Sequence, residues 1–199
     1  AIRLAVTGIP GVGKSSFIQA GILPRLREQG RWRIITLRPG GQPFRTLAAR
    51  LLTGESTREG LSFTTPLSSI IRKEEAPAGE PSEKPGPAPG DDVERLAAEL
   101  LELPSRLALI LGELAELNAY RILLFVDQLE ELFTMVGDES VRRSFLQAVC
   151  SAADDPQGPV RVVFTLRDDF MGRLAEGPEA RDALSRLFVL RSPGPEALR

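Results

Sequence analysis

The chain has 199 residues, 42% of them hydrophobic and 26% charged, with a formal net charge of −2. That suits one domain with a real core, and bulk charge gives no pull toward nucleic acid or an anionic membrane. There is no histidine and a single cysteine, Cys150, which excludes Ser-His-Asp chemistry, His-ligated metal sites and an internal disulfide. A general base must then be a carboxylate. No apolar run approaches the roughly 20 residues of a membrane span. The lone thiol fits a reducing, cytoplasmic setting.

Ile2-Arg3-Leu4-Ala5-Val6-Thr7 reads as a buried strand. It runs into Gly8-Ile9-Pro10-Gly11-Val12-Gly13-Lys14-Ser15, a complete G-x-x-x-x-G-K-[ST] loop, with Ser16 after it. Glycines let such a loop wrap a polyphosphate with its N–H groups pointing inward. Lys14 can reach the β- and γ-phosphates, and the Ser15 hydroxyl can take a place on Mg²⁺. Phe17, Ile18, Ile22, Arg25 and Leu26 follow at helical spacing, so a helix N-terminus adds its positive end to the site. Pro24 should kink that helix or end it early.

Trp32 to Leu37 reads as a second strand and Arg38-Pro39-Gly40-Gly41-Gln42 as a turn. Pro43 opens a helix with Phe44, Leu47, Ala48 and Leu51 on one face. From Thr53 to about Gly90 the pattern dissolves. The Pro/Gly/Glu-rich stretch at about 74–90 is too poor in apolar surface to order itself. We read it as a disordered insertion in a single domain, 1–199. Because its first strand starts at residue 2, that domain is expected to be a piece of a longer protein.

Asp91 or Asp92 caps the next helix, with Val93, Leu96, Leu100 and Leu101 on one face. After Pro104, Leu107, Ile110, Leu111, Leu114 and Leu117 continue the stripe. Ile122 to Val126 is an apolar run typical of a central parallel strand. Asp138 opens another helix, Val160 to Leu166 is a fourth strand, and Phe188 to Leu190 is a short fifth. The β-α-β order implies an α/β fold: a mostly parallel sheet with helices on both faces, in three layers.

Two further segments carry chemistry. Asp127 directly follows the Ile122–Val126 strand, where a Walker B aspartate holds Mg²⁺ through water. Glu130 and Glu131 are the local candidates to orient the attacking water, and Glu130 is preferred because it can face the same site. Thr165 and Arg167 sit at the carboxyl end of the fourth strand, the edge where open parallel sheets bind ligands. Arg167 there could read the γ-phosphate; the alternative is an arginine paired with Asp168 or Asp169. Arg25, Arg27, Arg31, Arg33, Arg38, Arg45 and Arg50 form a cluster in sequence. Without interleaved aromatics it reads as solvated side chains rather than a nucleic-acid surface.

Taken in order, Gly8–Ser16, Ala20-Gly21-Ile22-Leu23-Pro24, Arg38-Pro39-Gly40, Asp127-Gln128-Leu129-Glu130-Glu131-Leu132-Phe133-Thr134 and Thr165-Leu166-Arg167-Asp168-Asp169-Phe170 resemble the novel STAND NTPase 1 family. The resemblance implies an ASCE-type P-loop NTPase with a five-stranded sheet ordered 5-1-4-3-2. It implies ATP and Mg²⁺ as cofactors and slow hydrolysis of the β–γ bond. It implies a signalling switch that self-associates in a multidomain protein, with flanking effector and repeat sensor domains, and some relatives act in anti-phage defence. Two other readings stay open: a non-hydrolysing nucleotide-dependent scaffold, since Gln128 stands where many AAA+ proteins place a catalytic Glu, and a DNA-linked AAA+ ATPase using the arginines.

Overall fold

A computed structural model describes residues 3–53, 89–176, 184 and 186–191. Five strands form one sheet: β1 (Arg3–Gly8), β2 (Trp32–Leu37), β3 (Arg121–Val126), β4 (Val160–Arg167) and β5 (Leu187–Val189), in the order β2-β3-β4-β1-β5. Read from the other edge this is the expected 5-1-4-3-2. Every pairing is parallel. The register brings the carboxyl ends to one edge: Leu37 lies beside Val126, and Gly8 beside Arg167. The phosphate loop, Asp127 and the end of β4 are thereby neighbours before any side chain is considered.

β3 explains why the sheet is covered on both faces. Ile122, Leu124 and Val126 face one hydrophobic cluster; Leu123 and Phe125 face a second. Alternating residues point to opposite faces, so a strand apolar at every position must be buried twice. The smaller cluster joins Val6, Leu123, Phe125 and Val163 to Ile18 and Leu23 of the helix after the loop. The larger holds Phe44, Leu47, Leu96, Leu100, Leu107, Leu111, Phe145 and Val149 from the remaining long helices.

The helical run after the loop, α1, is α-helical at Lys14–Ser16, π-helical at Phe17–Ile22 and α-helical again at Leu23–Glu28. Of the two outcomes expected at Pro24, a kink or an early end, the early end does not occur: the run continues to Glu28. A regular turn would drive its ring into the Ala20 carbonyl. The widened turn relieves this, and Leu23 N–H reaches the Ile18 carbonyl five residues back. The other helices are α2 (Pro43–Thr53), α3 (Pro89–Glu102), α4 (Arg106–Asn118), α5 (Glu131–Met135), α6 (Glu139–Ser151) and α7 (Met171–Glu176). Asp138 caps α6, accepting from Ser140 N–H at 2.8 Å.

The insertion expected at about 74–90 lies outside the described residues, except for its last two positions. Those belong to α3, which begins at Pro89 rather than at Asp91 or Asp92. Among the described residues no helix is long and apolar enough to cross a membrane.

Candidate functional site

The loop between β1 and α1 departs from ordinary backbone geometry at its glycines. Gly13, just before the first helical residue, has φ 91°, a region that suits glycine. Gly8 has φ 156°, and a Cβ there would lie 2.5 Å from the Leu190 carbonyl oxygen. The chain beyond β5 thus packs directly against the loop's first residue, and Leu190 N–H donates to the Thr7 carbonyl at 2.8 Å. Lys14 is almost fully buried. Its ammonium donates to the Gly8 and Ile9 carbonyls at 2.8 and 3.0 Å, which curls the side chain over the loop. Ile9 and Phe17 are exposed, and the Phe17 ring stacks on Phe188 of β5 with 5.7 Å between centroids.

Asp127 is the centre of the site. It is 1% exposed, and a carboxylate that buried is tolerable only with charge and hydrogen-bond partners. It has both. Oδ1 accepts from Ser15 Oγ at 2.5 Å and from Thr165 Oγ1 at 2.7 Å. Oδ2 accepts from Arg38 Nε at 3.2 Å and Nη2 at 3.1 Å. Loop, β2, β3 and β4 therefore each contribute to one carboxylate.

The turn after Asp127 is fixed through Thr165. Gln128 has a left-handed φ of 57°. Its N–H donates to Thr165 Oγ1 at 2.8 Å, and Leu129 N–H donates to the Thr165 carbonyl at 2.9 Å. That turn sends the two glutamates different ways. Glu131 accepts from Gly40 N–H at 3.1 Å and so faces the turn after β2. Glu130 is half-buried beside the site, and its Oε2 has no hydrogen-bond partner among the described residues. Burial pushes the Glu130 carboxyl above the usual carboxylate range; the backbone N–H groups of Glu130 and Arg167 and the charges of Lys14 and Arg167 pull it back only in part.

Arg167 reaches this edge, but its side chain takes the alternative pairing. Nε and Nη2 donate to the two Asp169 carboxylate oxygens at 3.0 and 2.6 Å, and the guanidinium lies 5.4 Å over the Phe170 ring. What it offers Glu130 is its backbone N–H. The structure thus gathers the loop, Asp127 and Glu130, and turns Glu131 and the Arg167 guanidinium to other partners.

Two residues given no role by the sequence are prominent in the site: Thr165, which the sequence places at this edge, and Arg38, which it does not. Arg38 had been grouped with the solvated arginines. The signal that finds it is positional: it follows the last residue of β2, and Asp127 N–H donates to the Leu37 carbonyl at 2.9 Å. The rest of the arginine cluster is dispersed. Arg33 is buried and donates to Tyr120 Oη at 3.0 Å, and Arg45 pairs with Glu94 at 2.5 Å.

The oxygen donors of Ser15 and Asp127 are a hard set suited to Mg²⁺, which binds through one or two carboxylates and completes its shell with water and phosphate. Among the described residues no group of three or more His, Cys, Asp or Glu could form an all-protein metal cage.

The family model described as novel STAND NTPase 1 matches residues 2–199. No curated protein matches the chain. Among solved structures it is similar to the crystal structure of Cdc6p from Pyrobaculum aerophilum, at 14% identity and a TM-score of 0.43. The match covers 94% of this chain and 38% of that one.

Proposed function

We infer that this chain, which belongs to the novel STAND NTPase 1 family, is the Mg-ATP-binding core of a signalling switch and hydrolyses ATP slowly. Family membership already makes it a nucleotide-binding NTPase module. The observation that carries the finer reading is the 2.5 Å hydrogen bond from Ser15 to Asp127. It joins the end of the phosphate loop to a buried carboxylate 112 positions away, which is the pairing an Mg-nucleotide site requires.

In this reading Gly8, Ile9, Pro10, Gly11, Val12, Gly13, Lys14, Ser15 and Ser16 form the phosphate cradle; Pro10, which has no N–H, only shapes the loop, and the donors are the other backbone N–H groups and the α1 N-terminus. Lys14 exchanges the Gly8 and Ile9 carbonyls for phosphate oxygens. Ser15 and Asp127 hold Mg²⁺, which when bound neutralises charge on the β- and γ-phosphates. Glu130 orients the attacking water; its raised proton affinity suits a base better than an ordinary surface carboxylate. Glu131, at the start of α5, supports the site by holding the turn after β2 through Gly40 N–H. For Arg167 to meet the γ-phosphate it must give up Asp169, so we rank it below Glu130. ATP rather than GTP follows the family resemblance. So do self-association, flanking effector and repeat sensor domains, a cytoplasmic setting and a role of the anti-phage kind.

A second reading is a nucleotide-dependent scaffold without turnover. Gln128, not a glutamate, directly follows Asp127, and the backbone there is left-handed.

The test is ATP binding and turnover with and without Mg²⁺ for wild type, Lys14→Ala, Asp127→Ala and Glu130→Gln. The switch core predicts lost binding in Lys14→Ala, lost Mg²⁺ dependence in Asp127→Ala, and binding without turnover in Glu130→Gln. Mg-dependent binding and turnover untouched in Asp127→Ala would sink the assignment. Retained binding with no turnover even in wild type would select the scaffold.

A further inference from the structure

Arg38 and Asp127 are unequal partners. The carboxylate is 1% exposed and cannot move without breaking its bonds to Ser15 and Thr165, while the arginine side chain is 55% exposed. The guanidinium supplies the positive charge that a buried carboxylate needs. It does so on Oδ2 of the carboxylate whose Oδ1 accepts from Ser15 Oγ, and Ser15 and Asp127 are the oxygen groups that a divalent cation would use. A guanidinium and a divalent cation gathered on one carboxylate repel each other, which sets them in competition for its charge.

The turn that carries Arg38 is anchored separately. Gly40, two residues on, has φ 59° and donates its N–H to Glu131. Release of Arg38 is therefore a side-chain swing into solvent and leaves the backbone turn where it is.

We propose that Arg38 is a cation stand-in: its guanidinium neutralises Asp127 when no metal is bound, and it must let go of Asp127 for a divalent cation to load. Arg38 thereby sets the metal concentration at which the site fills, and its freed charge becomes available at the mouth of the site once metal is bound. The proposal rests on the reading of Ser15 and Asp127 as the metal site.

The test uses Mn²⁺, an oxygen-ligated substitute for Mg²⁺, titrated into the nucleotide-free chain and followed by electron paramagnetic resonance. Arg38→Gln should bind Mn²⁺ about three- to tenfold more tightly than wild type, the range expected for losing one half-exposed charge contact. Adding Asp127→Asn to Arg38→Gln should erase the gain. Affinity in Arg38→Gln equal to or below wild type, or a gain that survives Asp127→Asn, would overturn the proposal. Arg38→Lys keeps the charge but loses the planar fork; it should bind Mn²⁺ about twofold more tightly. If Arg38→Gln fails to fold, wild-type affinity in Arg38→Lys overturns the proposal instead. ATP binding in the presence of Mg²⁺ by wild type and Lys14→Ala tests the nucleotide reading separately. Its failure would leave the Mn²⁺ result standing, and an unchanged Mn²⁺ affinity would remove the stand-in while leaving ATP binding intact.

Discussion

Replacing Thr165 with valine keeps the shape of the side chain and removes one hydroxyl. In this fold that hydroxyl is used twice: it donates to Asp127 Oδ1 at 2.7 Å and accepts from Gln128 N–H at 2.8 Å, with the residue 1% exposed. Losing a hydrogen bond to a charged group costs about 1.5–3 kcal/mol, and stranding the part-buried Gln128 N–H costs up to about 1–3 kcal/mol more. Thr165→Val should therefore destabilise the fold by roughly 3–5 kcal/mol. At about 2–4 °C per kcal/mol for a chain of this size, the melting temperature should fall by roughly 10 °C. Thr165→Ser is the control. It keeps both bonds, loses one methyl, and should cost only about 1 kcal/mol. Urea unfolding followed by fluorescence of Trp32, the single tryptophan, reads both variants. A Thr165→Val stability within about 1 kcal/mol of Thr165→Ser would refute the reasoning, because water or a backbone shift would then be satisfying both partners.

Gly8→Ala should strip nucleotide binding and lower the melting temperature. The added methyl meets the Leu190 carbonyl at 2.5 Å, so either the loop or β5 must move, at a cost of about 1–3 kcal/mol. Phe125→Ala removes a fully buried ring from the smaller core cluster and should cost about 3–5 kcal/mol in urea unfolding. Glu130 should also mark the pH profile. Its raised proton affinity means that its contribution to stability is complete below the ordinary carboxylate range and fades as pH climbs through the elevated value. Glu130→Gln should flatten that decline in unfolding midpoints measured across mildly acidic pH, and wild-type turnover should rise over the same window. A Glu130→Gln profile parallel to wild type would remove Glu130 from both roles.

The strands were legible because each carries a pattern with one physical reading. Ile122 to Val126 is apolar at every position, which only a twice-covered strand explains, and the motif at Gly8–Ser15 pins the strand before it and the helix after it. Asp127 could be found because it ends such a strand. The side-chain choices at the edge were harder to read. Arg167 and Arg38 both sit at strand ends and both have carboxylates in reach. Arg167 has Asp169 two residues away, so a local pair wins over a distant one. Arg38 has no acidic neighbour in sequence, and its partner is 89 positions distant. Linear spacing carries no trace of that contact; only the strand order does. The π-helical turn before Pro24 was missed for a related reason. Proline chemistry says that a regular turn must fail there, but not whether the chain will break or widen.

The strand order also dictates the sequence of events during synthesis. β1 is made first, yet its only partners in the sheet are β4 and β5, the last two strands to emerge. At ribosomal speed Ser15 waits roughly 6 to 20 seconds for Asp127 to be made, and β4 comes later still. Throughout that interval Ala5 and Val6, fully buried in the finished fold, lack the strands that flank them. Nascent chains should therefore lean on holding chaperones at β1. The completed loop is a late product of translation, so a truncated chain would carry the whole motif without a working site.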